Sequence, residues 1–198
     1  MIEAPTAIPA KRTVLRALFA VLLPVAALYL AASLTTETVH VLGSSMMPTL
    51  SSGDLLVASK IDYRLHPPER GDIVVLQNPG LHSEDYIKRV VGMPGDHVLI
   101  RDGHIYINGS ELVEPYVNQP WSLTRSLLQT PTASDGQIVP PDSYFVLGDN
   151  RDHSNDSRTF GYISRDQIEE KAWLRFWPAG TAGFLGVRPY FASRLNAA

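Results

Sequence analysis

A serine hydroxyl attacks a carbonyl only when a neighbouring group takes its proton. Gly43-Ser44-Ser45-Met46-Met47-Pro48-Thr49-Leu50 presents Ser45 in a turn framed by Gly43 and Pro48, shortly after a long apolar segment. The usual proton acceptor is a histidine held by a carboxylate. Of the six histidines, His40, His66, His82, His97 and His104 have no carboxylate in a suggestive position, and only His153 stands in an Asp/Asn/Arg loop. Lys88 is the stronger candidate, because Tyr86-Ile87-Lys88-Arg89-Val90-Val91-Gly92-Met93-Pro94-Gly95-Asp96 sets it in an apolar, strand-like stretch with Tyr86 and Val90 on its own face. Burial disfavours the ammonium form and lowers a lysine pKa by up to about 3–5 units, which yields a neutral amine able to accept the serine proton. Each residue also has an ordinary reading: a serine in a solvated turn, and a lysine on a solvated strand face. Alternation does not choose between them, since Arg89 falls on the opposite face with Ile87 and Val91.

The elements that must hold these residues begin with the run Ala17 to Leu34, which carries no charge and is interrupted only by Pro24, Tyr29 and Ser33. It sits at the short end of the ~17–25 residues that cross a bilayer. Lys11, Arg12 and Arg16 precede it, so the positive-inside rule keeps the N-terminus cytoplasmic and sends the chain beyond Leu34 across the membrane. A cleavable signal peptide ending near Ala31-Ala32-Ser33 is the alternative, and it exports the same residues. The expected organisation is a cytoplasmic N-terminus over 1–12, a transmembrane anchor over 13–35 and an extracytoplasmic domain over 36–198. With no cysteine among 198 residues, that domain uses neither disulfides nor thiol chemistry. The chain is −3 overall; residues 1–34 contribute +2 and the remainder −5, which argues against a nucleic-acid partner.

Beyond Val39 the apolar residues come in short runs broken by Gly, Pro, Asn and Asp, which predicts a mostly β, antiparallel domain. Strands are expected over 55–59, 72–77, 86–91, 97–101, 104–107, 143–147 and 171–177. Asp102-Gly103 marks a tight hairpin between two of them. The polar stretch Ser110 to Pro141, within a cap or insertion over about 102–142, is expected to lie outside the core. Trp121 and the pair Phe176-Trp177 are expected as core aromatics, with a role at the bilayer surface as the alternative.

Four stretches in order, Ser45-Met46-Met47-Pro48-Thr49-Leu50, Arg70-Gly71-Asp72-Ile73-Val74, Lys88 to Asp96 and Gly148-Asp149-Asn150-Arg151-Asp152-His153-Ser154-Asn155-Asp156-Ser157-Arg158, come after the apolar segment. Together they resemble the conserved boxes of bacterial type I signal peptidases, the serine-lysine leader peptidases. The resemblance implies Ser45 as nucleophile and Lys88 as general base. It further implies that Ser154 orients the amine, and that Asp149, Arg151, Asp156 and Arg158, with Arg89, form a supporting polar network in which Asp156 pairs with Arg158. Many relatives carry a serine or threonine two residues before the nucleophile as a second oxyanion donor beside the nucleophile's own N–H. Gly43 stands there in this chain, so the Ser45 backbone N–H is the one donor identified. His153 departs from the asparagine frequent in the last box.

The alternating oxygens of residues 149–156 also suggest a calcium loop. Arg151 inside it and the lack of a glycine at the turn position disfavour that, so no metal or other cofactor is expected. An extended peptide pairing with a strand edge near Asp85 to Lys88 would point alternate side chains into the protein. By position in the family pattern, Val41, Leu42, Met46, Leu50, Tyr86 and Ile87 would line two pockets that admit only small side chains. The implied activity is membrane-bound endoproteolysis of preproteins after small-x-small (Ala-x-Ala) sites. The implied partners are signal peptides and the lipid bilayer, with the protein a monomer. The alternatives are a serine-lysine protease with a narrow client, or a membrane-tethered β-domain that binds peptides without cutting them.

Overall fold

A computed structural model describes residues 10–77, 79, 85–117, 136–186 and 188–191. It divides into two units, Met1–Thr36 and Glu37–Ala198. The first holds α1, Ala10–Thr35, whose 26 residues span about 39 Å at ~1.5 Å each. Thr13–Thr35 has mean hydropathy 2.3, so this helix is long and apolar enough to cross a membrane. Two of its hydroxyls bond back within the helix: Ser33 Oγ donates to the Leu30 carbonyl and Thr35 Oγ1 to the Ala31 carbonyl, each at 2.9 Å. The span therefore carries little polarity, while Leu23, Leu28 and Tyr29 are exposed.

The second unit is built on antiparallel strands: β1 Thr36–His40, β2 Leu55–Ser59, β3 Ile73–Gln77, β4 Asp85–Gly92, β5 His97–Arg101, β6 His104–Ile107, β7 Ser110–Val113, β8 Gln137–Ile138, β9 Ser143–Leu147, β10 Ile163–Ser164, β11 Ile168–Trp177, β12 Gly183–Phe184 and β13 Tyr190–Phe191. One sheet runs β1-β2-β11-β3-β4-β9-β10, with β12 on β11; a second runs β13-β7-β6-β5-β8. Two short helices, α2 Asp62–Leu65 and α3 Ser157–Phe160, cap the connections. Hydrophobic alternation located β2, β5, β6 and β9 to the residue, and the other expected strands to within a few.

Asp102-Gly103 closes β5 on β6 as its composition predicts, with positive φ at both residues (53° and 77°). Asn108-Gly109 does the same between β6 and β7 (52° and 79°), so the first residues of the expected cap are a hairpin strand. That expectation needs correction: Leu112, Tyr116, Val117 and Val139 are buried and pack with Val91, Val98, Ile105, Phe145 and Leu147 between the two sheets. Residues 118–135, with Trp121, lie outside the described residues. Phe176 and Trp177 are corrected as well. They are 40% and 55% exposed at the end of β11, where Trp173 stacks on Phe184 at 5.8 Å.

Candidate active site

The turn carrying Ser45 is held from below and from the side. Val41, Met46 and Leu50 sink into a core cluster with Leu56, Ile73 and Ala172, so the segment between them cannot swing away. From the side, the Asn150 amide donates to the Ser45 carbonyl (2.9 Å) and Asn150 Nδ2 to the Ser44 carbonyl (3.0 Å). Lys88 arrives on β4, paired with Val74 of β3, and is only 3% exposed. Its amine donates to Ser45 Oγ and to the Ile87 carbonyl, both at 3.0 Å, and lies 4.8 Å from the centre of the Tyr86 ring. Burial pushes Lys88 down to about 8, against the opposing pull of the Asp156 and Asp149 carboxylates. A hydroxyl and an amine at this distance can pass a proton either way once the amine is neutral.

Arg89, one residue on, is 1% exposed on the other face of β4. Its guanidinium binds both oxygens of Asp149 (2.8 and 2.7 Å), donates to the Gly71 carbonyl and lies 3.8 Å over the Tyr116 ring. Asp149 also accepts from Thr49 Oγ1 at 2.5 Å, which ties the Ser45 turn to the 148–158 loop. Within that loop Asp156 accepts from the Gly148 amide and from Arg158 at two sites, and Arg158 reaches the Arg151 carbonyl. Arg151 pairs with Glu114 at 2.6 Å. Asp149 and Asp156, two of the carboxylates that suggested a calcium loop, are thus engaged by guanidinium groups.

Ser154 makes no hydrogen bond to Ser45 or Lys88. Its Oγ is buried with no hydrogen-bond partner, and a Cβ placed on Gly148 would meet both that oxygen and the Ser45 carbonyl. Four contributors escaped the sequence reading: Glu114, Tyr116, Thr49 and Asn150. Only Arg151 signalled one of them, since a buried arginine requires a carboxylate.

A groove of about 620 Å³ opens beside the pair; of the residues expected to line it, Val41, Leu42, Met46, Tyr86 and Ile87 do, together with Asp85, His153 and Asn155. Leu50 does not; it is fully buried in the cluster beneath the turn. Gly43, at φ 87°, has open space where a side chain would be, and so supplies no oxyanion donor. The Ser45 amide makes no hydrogen bond among the described residues, which leaves it available.

The family described as "Signal peptidase, peptidase S26" matches residues 12–177. The chain belongs to that family. Its activity is accordingly that of a signal peptidase, a hydrolase. It is 41% identical over 164 residues to a signal peptidase I of Leptolyngbya laminosa, covering 78% of this chain and 75% of the relative. It is 42% identical over 144 residues to a signal peptidase I of Bacillus caldolyticus, covering 69% and 76%. A crystal structure of a signal peptidase I from Enterococcus faecalis V583 is 35% identical, with TM-score 0.45 over 54% of this chain and 97% of that one. α1 is compatible with anchoring in a membrane.

Proposed function

We propose that this signal peptidase cleaves exported preproteins after small-x-small sites with Ser45 as nucleophile and Lys88 as general base. The observation that carries this reading is the 3.0 Å contact between Ser45 Oγ and a lysine amine removed from water. Neutral Lys88 takes the Ser45 proton as Oγ attacks the carbonyl carbon, and the Ser45 N–H faces the oxyanion. Collapse breaks the C–N bond, and the Lys88 ammonium returns its proton to the departing amine. Lys88 then deprotonates a water that attacks the ester, and the Ser45 oxygen leaves with the proton. Ser154 holds the amine in the interval when it has released Ser45 Oγ. Asp149, Arg151, Asp156, Arg158 and Arg89 keep the two loops in register.

The substrate binds as an extended strand. β9 pairs with β4 only from Arg89 onward, so among the described residues the Asp85–Lys88 edge opposite β3 is unpaired. Side chains two apart then enter the groove, where Val41, Leu42, Tyr86 and Ile87 restrict them to small ones. The protein acts as a monomer. Residues 1–12 are cytoplasmic, 13–35 span the bilayer and 36–198 work on its far side. Incubation of the purified protein with a preprotein tests the reading. The expected product ends at Ala-x-Ala, with Ser45→Ala and Lys88→Ala each slower by at least ~10³-fold. Equal activity from either variant would sink the assignment, and cleavage confined to one special client would indicate the narrow-client alternative.

A further inference from the structure

Regular alternation along β11 would put Leu174 and Phe176 on the face of Ala172 and turn Arg175 to the opposite one. The pairing with β2 breaks that order. Ala172 stands opposite Ala58, but the next partners are Leu174 with Val57 and Arg175 with Leu56, so one residue is inserted between Ala172 and Leu174. The bulge moves Arg175 into the place that regular pairing gives to Leu174. Arg175 thereby shares a face with Leu56 and Ala172, which are buried with Val41, Met46 and Leu50 beneath the Ser45 turn.

A guanidinium on an apolar face requires acceptors. Arg175 Nη1 donates to the Thr49 carbonyl and to Asp54 Oδ2, each at 3.0 Å, and Nε donates to the Thr181 carbonyl at 2.7 Å. Asp54 closes the loop that carries Ser45: the Val41 amide donates to the Asp54 carbonyl and the Gly53 amide to the Val41 carbonyl, both at 2.9 Å. Its carboxylate is 6% exposed and also accepts from the Ser51 amide at 3.0 Å. Arg175 therefore grips the 41–54 loop at its neck and, through Thr49, at the turn.

Thr49 is held from two strands. Its hydroxyl bonds Asp149, which Arg89 on β4 engages, while its carbonyl bonds Arg175 on β11. β3 lies between those strands, so the two supports reach the turn from opposite sides of β3. A turn fastened on one side pivots; fastened on both, it keeps Ser45 Oγ at 3.0 Å from the Lys88 amine.

We infer that Arg175 is a positioning residue for the cleavage reaction, holding the Thr49 carbonyl and the neck of the 41–54 loop together so that Ser45 Oγ stays within reach of Lys88. The inference rests on Ser45 as the nucleophile, as proposed above. Among the described residues Arg175 does not line the groove, so its loss acts on turnover rather than on substrate binding. Lysine is no substitute, since a rigid fork serves three acceptors at once whereas an ammonium on a flexible stem does not hold them in fixed geometry.

The test uses the full-length enzyme in detergent and an Ala-x-Ala peptide, at a temperature where circular dichroism shows each variant folded. Arg175→Lys keeps a cation beside Asp54, so the test does not depend on the folding of Arg175→Ala. Arg175→Lys should lose about tenfold or more in kcat with KM within about twofold of the parent, and Arg175→Ala at least as much. The acidic limb of the pH-rate profile should keep its midpoint in both, because Lys88 stays buried. A parent-like kcat in Arg175→Lys, a loss confined to KM, or a midpoint that moves with the loss overturns the inference alone, provided that Ser45→Ala is inactive. Full activity in Ser45→Ala overturns the nucleophile reading and this inference with it.

Discussion

The burial that would make Lys88 a base also destabilises the fold. Its ammonium loses water on burial, so the folded pKa falls from 10.5 to about 8. Only the neutral amine is a base, and kcat/KM should therefore rise with pH through a midpoint near 8. A pH-rate profile checks this, and an acidic limb centred near 10 would show that the amine is not desolvated in the working enzyme. The stability consequence has a definite sign. Between pH 8 and 10.5 the unfolded chain binds more protons at this site than the folded one, so stability climbs with pH across that window; below 8 the full penalty, about 3 kcal/mol, is present. Lys88→Met should be inactive, yet more resistant to urea at pH 7, with the gain shrinking toward pH 10.5. Ser154 provides a second discriminating case. Its unsatisfied Oγ contributes nothing to the ground state, so Ser154→Ala should leave Tm unchanged or raised. The role proposed for it, holding the amine, predicts a fall in kcat of about 10²-fold, in the range of one general-base contribution. A fall in Tm without a fall in kcat would make Ser154 merely structural.

The strands and loops convert this local chemistry into a fixed geometry, and the joint between them is the buried pair Arg89–Asp149. Both side chains are 1% exposed, so removing one partner strands a charge away from water. Asp149→Ala should lower stability by about 3–5 kcal/mol in urea titrations. It should also reduce activity beyond what unfolding explains, because Thr49 and the Asn150 contacts to the Ser45 turn go with it. Much of this level was legible beforehand. Alternation located β3, β4 and β9 around Lys88, Asp102-Gly103 located the β5–β6 hairpin, and the order of the four motifs brought Ser45, Lys88 and the 148–158 loop together. What remained hidden has physical reasons. Asn108-Gly109 carried a hairpin signal, but the polar residues after it masked Leu112, Tyr116 and Val117 as core and Glu114 as the partner of Arg151. Leu50 belongs beneath the turn because apolar character does not distinguish a groove wall from the core below it. Arg175 was invisible to a period-two reading, since a bulge decides whether it or Leu174 stands opposite Leu56.

For the whole molecule, function requires that the two units work on opposite terms with water. The unit Glu37–Ala198 has three buried apolar clusters of its own, whereas α1 leaves Leu23, Leu28, Tyr29 and Leu34 uncovered. A helix of mean hydropathy 2.3 with exposed apolar sides is satisfied by hydrocarbon, and Lys11, Arg12 and Arg16 on its N-terminal side resist translocation. Protease added to the outside of cells stripped of their walls should therefore digest residues 36–198 and spare a tag fused to the N-terminus; the reverse pattern would invert the proposed orientation. The strength of the anchor can be set independently. An arginine at mid-helix raises the free energy of insertion by about 2.5–3.5 kcal/mol, so Leu23→Arg should move a measurable part of the protein from the carbonate-resistant membrane pellet into the supernatant. Leu23→Ile, which keeps the side chain apolar, should leave the distribution unchanged. If both variants stay fully in the pellet, α1 is not what holds this peptidase to the membrane.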